Sequence, residues 1–218
     1  MEKNKGNIKI VKPKLSNDLS SFELSKESLE DYTSVSDVFV KECFLEDYEA
    51  KKVSFKEALF KNVVLTNVSL QCSEVTDVRF ENCALSNVDF RESSIHRVEF
   101  LSCKLIGINF SESTLKNVVF NQCNGQYALF RFTNFKKVVF HNCQLRFSDF
   151  QESEFSKVEF IHTDLTQCQM FGVRLKEIDL SSCELDGFAA RVEDVRGAVV
   201  SIAQAISLTS LLGLVIKE

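Results

Sequence analysis

The sequence predicts an all-β chain wound as a right-handed quadrilateral β-helix of about eight coils, with a short C-terminal α-helix. Three observations predict it. An apolar residue returns at every fifth position, a small residue sits two places before each, and both columns carry a slower period of 20 residues.

Residues 1–32 lack the strict register, although Leu19, Leu24 and Leu29 are spaced by five, one place out of phase. They read as an N-terminal cap, because the open end of a coil is an unpaired strand edge that needs covering.

The coil itself is expected over 33–187. Of the 31 positions at five-residue steps from Val35 to Leu185, 29 are Val, Ile, Leu, Met or Phe, and only Ala50 and Gly125 depart. The companion column from Thr33 to Cys183 is Ala, Ser, Thr, Cys or Val except at Tyr48, Ile108 and Ile178. A period of five fits neither a helix nor a continuous strand. It fits a three-residue strand segment whose first and third side chains point inward, followed by a two-residue corner. Asn62, Asn67, Asn82, Asn87, Asn117 and Asn142 take the second corner place, where Asn tolerates left-handed backbone angles.

The 20-residue grid says that four such sides close one coil. Cys43, Cys83, Cys103, Cys123, Cys143 and Cys183 lie on it, with Val63 and Thr163 between. Phe60, Phe80, Phe100, Phe120, Phe140 and Phe160 form another column. Parallel crossovers are right-handed, and coils about 4.8 Å apart give a rod of about 37 Å. Stacked Phe would fill the lumen, leaving chemistry only the outside. Gly125 in place of a core Leu is expected to leave a gap or allow a bulge.

Residues 188–218 form the C-terminal cap. Ser201 reads as the N-cap of a helix running to about Leu212, with Gly213 as its terminator. Its apolar residues Ile202, Ala205, Ile206, Leu208, Leu211 and Leu212 cover more than one face, which points to a second copy in a two-fold homodimer.

Composition excludes several classes. One Pro, seven Gly and no Trp among 218 residues suit a regular winding rather than a loop-rich globule. A polar start and no long apolar run predict a cytoplasmic protein with no membrane partner and reduced cysteines. The Asn67 and Asn109 glycosylation patterns are then chance matches. A net charge of −5 argues against direct nucleic-acid binding. The cysteine grid holds no C-x-x-C pair, so it reads as packing rather than as a metal site. Cys72 sits at a corner, as do the widely separated His96, His141 and His162. No catalytic motif is present, so neither an enzyme nor a cofactor is expected.

Segments such as Val78-Arg-Phe-Glu-Asn-Cys-Ala-Leu-Ser-Asn-Val-Asp-Phe90 resemble the pentapeptide-repeat superfamily over 33–187. The tail Val195-Arg-Gly-Ala-Val-Val-Ser-Ile-Ala-Gln-Ala-Ile-Ser-Leu-Thr-Ser-Leu-Leu-Gly-Leu-Val-Ile-Lys217 resembles the end of Qnr-like proteins. That resemblance implies a DNA-mimicking rod, dimeric through its C-terminal helix, that binds gyrase or topoisomerase IV and protects it from quinolones. The unbroken register from 35 to 185 lacks the loops of many Gram-negative Qnr proteins. It is closer to loop-free mycobacterial and Gram-positive relatives.

Charge divides the coil. Residues 113–148 contain no acid and five bases, whereas 149–190 contain nine acids and three bases. Asp149, Glu152, Glu154, Glu159, Asp164, Glu177 and Asp179 are the candidate DNA-mimic surface. Tyr127, Arg131, Phe132, Lys136, Lys137, Arg146 and Phe147 form an alternative partner patch, a belt from 127 to 147 on a scaffold of another kind.

Overall fold

The computed structural model describes residues 8–215 and 217. The chain is a parallel β-solenoid. One sheet stacks β1 (Ser20–Ser21), β2 (Ser34–Lys41), β4 (Ser54–Lys61), β6 (Glu74–Glu81), β8 (Ser94–Leu101), β9 (Thr114–Asn121), β10 (Asn134–His141) and β11 (Glu154–Ile161), in that order. A second stacks β3 (Phe44–Glu49), β5 (Val64–Ser69) and β7 (Ala84–Ser86). From β2 onward every pairing is offset by one coil, as in Val38 with Ala58 and Phe100 with Phe120. Isolated parallel bridges continue the stack past 187, joining Gln169 to Ala189 and Asp179 to Val199.

The second corner residue is left-handed on almost every side. Asn62 has φ 54° and Asn142 52°, but Lys52 (57°), Glu92 (57°) and Phe132 (56°) adopt the same geometry. That region costs an ordinary L-residue about 1–2 kcal/mol. A ladder bond to the next coil offsets the cost, since this amide points along the axis: Asn62 N–H donates to Glu81 O at 3.1 Å and Phe132 N–H to Gln151 O at 3.0 Å.

Phenylalanines fill the lumen in two columns. Phe60 to Phe160 stack at centroid distances from 4.7 to 5.1 Å. Phe90, Phe110, Phe130 and Phe150 form a second stack that meets the first edge-on, as between Phe100 and Phe110 at 69°. Each buried ring contributes about 1.5–3 kcal/mol before its ordering cost.

The small inward column does more than make room. The thiols of Cys83, Cys103, Cys123 and Cys143 donate to the carbonyls of Phe60, Phe80, Phe100 and Phe120 in the preceding coil, at 3.3–3.5 Å. Ser113 and Thr133 hydroxyls do the same to Phe90 and Phe110, both at 2.7 Å. Cys, Ser and Thr share this column because each is small and carries one donor for a corner carbonyl.

The expected gap or bulge at Gly125 is absent. A Cβ added there would stand 2.8 Å from Leu145 Cδ2, so the Leu of the next coil occupies the space. Asn124 still pairs with Gln144 and Leu129 with Asp149, and the register is undisturbed.

The C-terminal helix starts where its cap predicts. α1 (Ile202–Leu208) opens with a capping box between Ser201 and Gln204, runs into a 3-10 turn over Thr209–Leu212, and stops at Gly213 with φ 69°. Gln204 Nε2 also donates to the carbonyls of Leu180 and Cys183, docking the helix on the last coils.

The N-terminal end divides in two. Leu24 and Leu29 are buried and close the first coil. Residues 8–18 instead run lengthwise along one corner, from Glu159 back to Asp77, and the expected cap segment 1–7 lies outside the described residues. None of the described residues forms a helix long and apolar enough to cross a membrane.

Candidate partner-binding surfaces

With the lumen filled, only outward side chains can meet a partner. In a four-sided coil those are the middle residue of each side and the two corner residues. Residues 20 apart form axial ladders, and this geometry decides which of the candidate residues are neighbours.

The belt candidates distribute over three corners. Tyr127 and Phe147 share one, and their rings stack at 5.0 Å and 5°. Arg146 lies over Phe147 at 5.9 Å. Arg131 and Phe132 occupy the next corner, with the guanidinium 5.8 Å from the ring. Lys136 and Lys137 take the third. The exposed aromatics are Tyr127 (53%), Phe132 (55%) and Phe147 (37%). Two of the bases are bridged to acids of the following section: Arg131 to Asp149 and Arg146 to Asp164, each at 3.7 Å.

The acidic candidates also spread around the rod. Glu152 at a corner meets Arg191 at 3.2 Å. Glu154 stands exposed at mid-side, and Glu177 is exposed at a left-handed corner. Glu159 and Asp179 share an axial ladder; Glu159 Oε1 accepts the Ile8 amide at 3.0 Å and Asp179 Oδ1 the Ser181 amide at 3.0 Å. Glu159, Glu177 and Asp179 line a hollow of about 730 Å³ together with Lys157, Arg174 and Lys176.

On the C-terminal helix, Ile202 (85%), Ile206 and Leu212 are exposed, as is Ala205, whereas Leu208 and Leu211 are half-buried. Leu214 and Val215 extend the apolar surface.

Six of the cysteines are buried in the lumen, and Cys43 and Cys72 are half-buried. Burial pushes the Cys168 thiol up to about 12 and raises Cys183 as well. Cys72 is half-buried at its corner, 3.9 Å from Glu92 Oε2. His141 Nδ1 lies 2.8 Å from Asn121 Oδ1, and His96 sits beside Arg97, where burial and the guanidinium lower its pKa.

The largest feature that sequence reasoning missed is the strap of residues 8–18. Ile8, Val11 and Lys14 donate their amides to Glu159 Oε1, Asn117 Oδ1 and Asp77 Oδ1 at 3.0, 3.2 and 2.9 Å. Beneath it the ladder of corner residues, elsewhere exposed, is covered: Asp77 is 4% and Asn117 5% exposed, and the neighbouring Glu99 is 6%. The mid-side ladder beside it mixes apolar and charged residues, with Phe39, Leu59, Val119 and Val139 alongside Arg79, Glu99 and Glu159, and so gave no distinct signal.

Residues 93–165 match the family model of the pentapeptide repeat region, and residues 73–111 match that of pentapeptide repeats in eight copies. No curated protein matches the sequence significantly. Among solved structures, two trypsin-treated forms of QnrB1, a plasmid-mediated fluoroquinolone resistance protein, are similar at 15% identity. One covers 82% of this chain and 100% of its own with a TM-score of 0.52. The other covers 81% and 99% with a TM-score of 0.50. HetL of Nostoc, a pentapeptide repeat protein involved in heterocyst differentiation regulation, covers 78% of this chain and 90% of its own at 12% identity and a TM-score of 0.40.

Proposed function

We propose that this pentapeptide-repeat rod is a non-catalytic, homodimeric binding protein that imitates duplex DNA, docks on gyrase or topoisomerase IV, and protects the enzyme from quinolones. The observation that carries this reading is the charge of the last coils. Residues 149–190 hold nine acids and three bases in about two coils, about 10 Å of axis. That is one net negative charge per ~1.7 Å, the line density of B-DNA. A surface built for phosphates would be drawn to this section, where Arg131, Arg146 and Arg191 from the flanking coils offset part of the charge by pairing with Asp149, Asp164 and Glu152. The exposed Ile202 and Ile206 support a two-fold contact beyond these coils, which would double the acidic section about the dimer axis.

The reading is tested by adding purified protein to quinolone-inhibited gyrase and following supercoiling. Rescue is expected. Neutralising Asp149, Glu152, Glu154 and Glu159 together should abolish it. No rescue combined with no measurable gyrase binding rejects the reading.

A second reading is favoured by one observation, the exposed Tyr127–Phe147 stack flanked by Arg146. Rigid aromatics beside Arg are the chemistry of interface hot spots. A scaffold docking its partner on this belt would lose binding when Arg131, Lys136 and Arg146 become Glu, while remaining dimeric. Topoisomerase binding that survives those changes but fails on neutralising the acids favours mimicry.

A further inference from the structure

The strap of residues 8–18 sits in a site built to read the backbone of an extended peptide. Its three amide donors are spaced by three residues, at Ile8, Val11 and Lys14, and their acceptors are spaced by about two coils, at Glu159, Asn117 and Asp77. Two coils rise about 9.6 Å and three extended residues about 10 Å, so strap and rod keep step. One acceptor is also fixed from within the rod, and the strap covers two of them. Asp77 is gripped through both carboxylate oxygens by Arg97, and both Asp77 and Asn117 are more than nine-tenths buried although they belong to an outward corner ladder.

The strap's own side chains alternate. Ile8, Ile10, Pro13 and Leu15 are half-buried, while Lys9, Val11, Lys12 and Lys14 face solvent. No side chain of the strap itself is needed for its three bonds to the rod, since each uses a main-chain amide. Within the described residues the strap joins the coil at one end only, through Ser20 and Ser21 paired to β2.

We propose that this corner is a docking groove for an extended segment of another protein, and that residues 8–18 occupy it as the chain's own competing ligand. The segment it fits is strand-like, offers free amides at every third residue, and carries aliphatic side chains where the strap has Ile8, Ile10 and Leu15. At its Ile8 end the groove adjoins the hollow beside Phe155 and Ile178. The site is separate from the Tyr127–Phe147 corner and does not depend on topoisomerase binding.

The probe is a fluorescent peptide of the sequence 8–18, titrated by anisotropy against the full-length chain. Wild type should bind it weakly, because the tethered strap competes at a high effective concentration. In V11P/K14P two strap donors are gone while the extended backbone is kept. Hydrogen exchange over the strap should rise and peptide affinity increase at least tenfold. Adding Glu159→Ala, or separately Asn117→Ala, should reduce that affinity at least tenfold with unchanged circular dichroism. A peptide with Pro at the two donor positions should not bind. Three results each overturn the proposal: equal peptide affinity for wild type and V11P/K14P, a strap in V11P/K14P as protected as in wild type, or full binding of the proline peptide.

Discussion

The amide of Lys14 donates to Oδ1 of Asp77 at 2.9 Å, across 63 positions of sequence, and Arg97 holds the same carboxylate from the next coil. Burial would raise the Asp77 pKa, but the bonds from Arg97 and Lys14 outweigh it and hold the group below its ordinary value of 3.8. A depressed carboxylate stabilises the fold above the unfolded value and loses that contribution as pH falls through the folded one. The strap should therefore stay anchored at pH 5 and loosen only below about pH 3.8. Following the Lys14 amide by NMR through an acid titration checks this. Asp77→Ala should loosen the strap at neutral pH and cost about 1–3 kcal/mol, because Arg97 loses its partner.

Truncating one ring in the middle of the longer stack should be severe. Phe120 touches Phe100 and Phe140 face-on and Phe110 and Phe130 edge-on. Phe120→Ala is expected to cost about 3–5 kcal/mol in urea unfolding, since a coil locked by ladder bonds cannot collapse onto the cavity.

Gly125 and Leu145 should behave as one unit. Gly125→Ala drives a methyl into Leu145 Cδ2 and should destabilise by about 1–3 kcal/mol. Leu145→Ala opens a hole of its own. In the double variant the two errors partly cancel, so the measured loss should fall short of the sum.

If the exposed face of the C-terminal helix is the dimer contact, Ile202→Glu with Ile206→Glu should give a monomer by light scattering. The far-ultraviolet spectrum should not change, because neither residue is buried within the chain. Failure of the dimer to appear in the wild type would remove that contact from the proposed function.

Thiol labelling should separate the corners from the lumen. Of eight cysteines, Cys72 at its corner should react first with Ellman's reagent, whereas Cys168, pushed up to about 12 by burial, should stay silent until urea unfolds the coil.

The solenoid was legible because its cause is local and repeated. Phe100 faces the lumen for the same reason as Phe80 and Phe120, so one side predicts the next. Ser201 and Gly213 were legible as helix ends for a similar reason, since capping is decided within four residues. Gly125 was misjudged because the compensating atom lies one coil away, on Leu145. The bonds from Cys83 and Ser113 to the preceding coil also join residues 23 apart, beyond any local pattern. The belt from 127 to 147 looked like one patch in sequence, yet corners divide it, leaving Tyr127, Arg146 and Phe147 together at one and Arg131 with Phe132 at another. The strap left least trace of all. Its three donors are main-chain amides, which every residue but Pro possesses, so nothing in Ile8, Val11 or Lys14 marks them.

A ribosome makes the strap before its anchors. When Lys14 emerges, Asp77 is still 63 residues away, Asn117 is 106 residues from Val11, and Glu159 is 151 from Ile8. During synthesis the segment has nowhere to dock, and its half-buried Ile8, Ile10 and Leu15 remain open to whatever the nascent chain meets. The acceptors become available in one order, for Lys14 first, then Val11 and finally Ile8, as successive coils are completed. The seating of the Ile8 amide is therefore a record that the wound rod has grown at least as far as Glu159.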